Sequence, residues 1–73
     1  MANARVALSI QNLGVNLYNV RTERGITIQR LAEELGVSDR MISYYESGQR
    51  KPGLNTLILL SNALEVQIDD LLR

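Results

Sequence analysis

The chain has 73 residues, eight basic and eight acidic, with no cysteine and no histidine. A chain this short supports one domain with a lean core, and its composition excludes disulfides and the usual structural zinc ligands. No apolar run approaches the ~20 residues needed to cross a bilayer, and no basic stretch leads into a long apolar one as in a secretory signal.

The neutral total hides an uneven distribution. Arg5, Arg21, Arg24 and Arg30 stand against Glu23 in the first part of the chain, and Arg40, Arg50 and Lys51 gather in the middle. Glu65, Asp69 and Asp70 stand against Arg73 at the end. Such a chain can present one basic face and one acidic end.

Helical spacing recurs along the sequence, and alternating strand patterns do not. Val6, Ile10, Leu13, Leu17 and Val20 form one stripe at intervals of four and three residues. It ends near Arg24–Gly25, where glycine can adopt a left-handed stop. Asn3, Ser9 and Asn12 are alternative N-caps for it, and Gly14 is expected to weaken, start or bend it. Thr27 is expected to cap a second helix, Ile28 to Leu35, stopped by Gly36, with Ile28, Leu31, Ala32 and Leu35 inward. Ser38 caps a third, with Asp39 in the first turn where negative charge suits the helix dipole. Its inner face is Met41 or Ile42, then Tyr45, and Gly48 ends it.

The stretch GQRKPG reads as a loop. A fourth helix is expected from Leu54 to Leu64, with Gly53 as a weak cap and Leu54, Leu57, Leu60 and Leu64 as its inward stripe. A short fifth runs from Ile68 to Leu72. Five short helices on short connections imply a compact all-α domain.

The second and third helices carry the most specific pattern. Counting from Ile28, a small residue (Ala32) is fifth, a turn glycine (Gly36) ninth, and Val37, Ile42 and Tyr45 are tenth, fifteenth and eighteenth. The small residue permits a close crossing and the glycine a sharp turn. The last three residues hold the third helix on the core, an arrangement of the helix-turn-helix kind.

From about Leu13 to Leu72 the chain resembles the Cro/C1-type (XRE) helix-turn-helix family of phage and bacterial repressors. The matching stretches are LYNVRTERGIT, LAEELGVSDRMISYYESG and RKPGLNTLILLSNALEVQIDDLL. The resemblance implies a five-helix, lambda-repressor-like DNA-binding domain over residues 13–73 whose third helix enters the major groove. By position it assigns base reading to Asp39, Arg40, Ser43 and Tyr44. Arg40 is the leading candidate, since a guanidinium can bind guanine O6 and N7 together. Thr27, Gln29, Ser38, Gln49, Arg50 and Lys51 fall where phosphate contacts are expected. Arg21 and Glu46 fall where the family carries a partly buried ion pair. The sequence departs from the family at Ile28, where glutamine is frequent, and at Glu65, where glycine is usual.

Ile58 and Leu59 widen the apolar arc of the fourth helix beyond one core, and with Ile68 they are expected to form a dimer surface. A dimer also suits the task. One recognition helix reads too few base pairs for genomic selectivity, whereas a two-fold pair about 34 Å apart reads an inverted repeat. Residues 1–12 form an extension that can lengthen the first helix, cross a partner subunit or reach DNA through Arg5. The expected function is a sequence-specific, Cro-like repressor in the cytoplasm, with no second domain, no small-molecule ligand and no cofactor. The alternative is a protein-binding module on the same fold, an antitoxin or anti-repressor. An enzyme is not expected, because no catalytic or phosphate-binding motif is present.

Overall fold

A computed structural model describes residues 7–73, and Asn3, Arg5 and Val6 lie outside the described residues. A single 3₁₀ turn, Ile10–Asn12, leads into five α-helices: α1 Leu13–Glu23, α2 Ile28–Leu35, α3 Asp39–Ser47, α4 Leu54–Leu64 and α5 Ile68–Leu72. Among the described residues there is no strand.

Local chemistry explains the boundaries. The Thr27 hydroxyl accepts from Arg30 N at 3.0 Å and starts α2, and the Ser38 hydroxyl accepts from Met41 N at 3.1 Å and starts α3. Each satisfies one amide that a helix start leaves unpaired. Gly36 (φ 71) and Gly48 (φ 82) end these two helices in the left-handed region. Helix α4 has the same stop without glycine: Glu65 sits at φ 57, a conformation that strains an L-residue by about 1 kcal/mol. Gln67 and Asp70 start α5 with a reciprocal capping box.

The core is built from all five helices. Leu13 and Leu17 of α1, Leu31 and Ala32 of α2, Ile42 and Tyr45 of α3, Leu57, Leu60 and Leu64 of α4, and Leu71 of α5 are buried together. Ala32 is 1% exposed where α3 packs on α2, so a larger side chain has no room there. Leu54 differs from its expected place in the inward stripe. It is 69% exposed at the first position of α4, and the buried face of that helix begins at Leu57. The first helix also differs from the stripe, since Ile10 lies in the 3₁₀ turn and regular helix begins at Leu13.

The two ends of the described chain are tied together. Ser9 N donates to Leu72 O at 2.7 Å, and Asn12 Nδ2 to the same carbonyl at 3.0 Å. Asn16 Nδ2 donates to Leu71 O at 3.1 Å and to Arg73 O at 3.0 Å. Asn12, the last residue of the 3₁₀ turn, and Asn16 on α1 thus satisfy the unpaired carbonyls at the end of α5. Among the described residues no buried side-chain nitrogen or oxygen lacks a partner.

Candidate nucleic-acid interface

Helix α3 has two faces. Ile42 and Tyr45 are buried, and Met41 is half-buried beside them. Asp39, Arg40, Ser43 and Ser47 are exposed, and Tyr44 is half-buried at the border. The division follows the helical period: apolar residues at i and i+3 lie down on α1 and α2, leaving the polar positions outward.

Tyr44 has a neighbour that linear reading missed. The Arg50 guanidinium carbon lies 5.8 Å from its ring centroid, within cation–π range. The Tyr44 carbonyl also accepts from Gln49 N at 3.0 Å and Arg50 N at 3.3 Å, so the loop folds back onto the end of α3. Gln49, Arg50 and Lys51 are exposed beside α3, and the buried Pro52 anchors the loop behind them. Gln29 is exposed on the first turn of α2. The Thr27 and Ser38 hydroxyls spend a lone pair on capping, and each keeps its proton to donate outward.

Arg21 and Glu46 join α1 to the last turn of α3. Arg21 Nε and Nη2 donate to the two Glu46 carboxylate oxygens at 2.5 and 3.2 Å, and Nη1 donates to Ile26 O at 2.8 Å. Both side chains are 10% exposed. The Tyr18 ring lies over the guanidinium with its centroid 5.6 Å from Cζ. A two-pronged pair this dry resists rotation of α3 more than a single surface contact would.

Ile58 and Leu59 are 39% and 47% exposed, and Leu54 adds to the same helix. Ile68, expected with Ile58 and Leu59 at a dimer surface, is half-buried against the core.

No helix of the described residues is long and apolar enough to cross a membrane. The helix-turn-helix family model matches residues 17–71. Two regulators of Bacillus subtilis (strain 168) are similar. The uncharacterized HTH-type transcriptional regulator YqaE is 40% identical over 58 residues, covering 80% of this chain and 50% of the relative. The SPbeta prophage-derived regulator YonR is 42% identical over 60 residues, covering 82% and 56%. The chain thus spans about half the length of the curated relatives it matches. Among solved structures, the P22 c2 repressor, crystallised with a synthetic operator, superposes with TM-score 0.79 at 32% identity, covering 86% of this chain and 96% of that one. The restriction-modification controller protein C.AhdI of Aeromonas hydrophila superposes with TM-score 0.78 at 27% identity, covering 85% and 94%. With a helix-turn-helix whose third helix keeps its polar face outward, and with these relatives, the chain belongs to the Cro/C1-type helix-turn-helix family of transcriptional regulators.

Proposed function

We propose that this chain is the sequence-specific DNA-binding unit of a repressor that acts in the cytoplasm as a homodimer on an inverted-repeat operator. The observation that carries the reading is the outward polar face of α3, Asp39, Arg40, Ser43 and Tyr44, flanked by Arg50 and Lys51. Arg40 reads a guanine edge, and Tyr44 offers its ring edge and hydroxyl at the groove wall. Asp39 accepts from a cytosine amino group or repels phosphates from mismatched registers. Thr27, Gln29, Ser38, Gln49, Arg50 and Lys51 hold the phosphates and fix the docking angle. Bound over a promoter, the dimer blocks polymerase; no ligand or cofactor enters this scheme, and regulation follows concentration and dimerisation.

Dimerisation is supported by α4. No charged residue occurs from Leu54 to Leu64, and Leu54, Ile58 and Leu59 are exposed there. An uncharged face suits a self-complementary contact, where any charge meets its own copy. The same exposure favours a second reading, in which this face captures another protein and the chain is an antitoxin or anti-repressor.

Selection of bound duplexes from a random pool separates the two. The DNA reading expects an enriched inverted repeat with half-sites about one helical turn apart and binding that weakens steeply with salt. Failure to enrich any sequence favours the protein-capture reading.

A further inference from the structure

Gly14 is the second residue of α1, and it lies against the last turn of α3. A β-carbon built on it would stand 2.5 Å from the Glu46 carbonyl oxygen, 3.0 Å from that of Tyr45 and 3.1 Å from the Glu46 carbonyl carbon. All three are backbone atoms, so no side-chain rotation relieves the clash. Only the hydrogen that glycine carries in place of that carbon leaves room for the Glu46 carbonyl. That carbonyl lies where the helical ladder has stopped, because Arg50 N, four residues on, bonds to Tyr44 O instead.

Glu46 is therefore held twice. Arg21 grips its carboxylate, and the bare α-carbon of Gly14, two turns earlier on α1, receives its main chain. Restoring ordinary contact with a methyl group present requires the end of α3 to move by about 1 Å. The donor–acceptor window of a good hydrogen bond is only about 0.5 Å wide. A helix of nine residues moves nearly as a rigid rod, so Arg40, Ser43 and Tyr44 leave register with it.

We propose that Gly14 is a positioning residue for base reading: its missing side chain seats α3 directly on α1 at the height and tilt that present Arg40 and Tyr44 to the groove. This rests on the DNA-binding reading above. Helix propensity alone gives the opposite sign, since alanine is a better helix former than glycine.

The test is Gly14→Ala, with Val15→Ala as control on the exposed side of the same helix, where Val15 is 67% exposed. Both are titrated against the selected duplex and a scrambled duplex of equal length, and their amide spectra are compared with the parent. Gly14→Ala is expected to weaken the selected duplex about tenfold or more, the scale of one lost base contact. It should leave the scrambled duplex within about twofold, because phosphate contacts tolerate small shifts. Its amide shifts should concentrate in α3 and the loop after it, and Val15→Ala should change neither affinity nor those amides. Binding of the selected duplex within about twofold of the parent, or equal loss on both duplexes, overturns the proposal. If Gly14→Ala does not fold, the same comparison is made in a Glu65→Gly background, where relief of the left-handed strain adds stability at the end of α4. If the parent binds no duplex, the DNA reading fails on its own. The spectra then still decide the seat: unmoved α3 amides overturn it, and displaced ones support it.

Discussion

At the scale of single residues, charge and hydrogen-bond geometry separate roles that a list of basic residues merges. Arg40 stands on the exposed face of α3, whereas Lys51 lies in the loop. A guanidinium that binds two atoms of one base discriminates by about 1–3 kcal/mol, and an ammonium near a phosphate does not discriminate. Arg40→Ala is therefore expected to flatten preference at one operator position, read by competition among single-base variants. Lys51→Ala should weaken every sequence alike and lower the salt slope by about one. The same effect from both variants would refute the division. Glu65 tests conformational strain. Its φ of 57° is glycine's territory, and its side chain has no hydrogen bond or ion pair among the described contacts. Glu65→Gly is expected to stabilise by about 1 kcal/mol, a rise of about 4–8 °C in Tm for a domain of this size. An unchanged or lower Tm would mean that glycine's greater freedom in the unfolded chain cancels the relief.

At the scale of elements, what matters is how α3 is seated. Its caps, Ser38 and Gly48, define where the helix runs; its inclination depends on the Arg21–Glu46 pair, Gly14 and the folded-back loop. Glu46→Gln leaves Arg21 nearly buried with its partner charge gone, and losing one partner of a dry pair costs about 3–5 kcal/mol. A single core of this size supplies no more than about that. Urea unfolding of Glu46→Gln should show most of the stability lost; a loss below about 1 kcal/mol would show a pair screened like a surface one. Helix boundaries were legible in linear order, because Thr27, Ser38, Gly36 and Gly48 act on amides and carbonyls within four residues. Leu54 was not, since a helical period of apolar residues leaves the register of the first turn open. Gly14 was read as a weakness in α1, because the reason for it is a carbonyl of another helix.

At the scale of the whole molecule, the described chain has an outward polar face on α3 and an uncharged, partly apolar face on α4. The function proposed needs both, one for the groove and one for a second copy. Ile58→Asp places a charge on the α4 face without entering the core, since Ile58 is already 39% exposed. It should shift sedimentation to the monomer and weaken the full inverted repeat far more than a half-site. A variant that remains dimeric would move the interface elsewhere. The ends are closed by Asn12 and Asn16, which reach carbonyls of Leu71, Leu72 and Arg73 across 55 to 60 residues of sequence, a pairing no local pattern announces.

Residue order alone was enough for the five helices, the caps of α2 and α3, their glycine stops, most of the buried stripe and the outward residues of α3, because each follows from interactions within a few positions of the chain. Packing in three dimensions set the rest: the tilt of α3 on Gly14, the Arg50–Tyr44 stack, the exposure of Leu54 and the tie at the end of α5. Each of these depends on which backbone or ring arrives from a distant part of the sequence, and excluded volume and unpaired carbonyls are properties of that meeting.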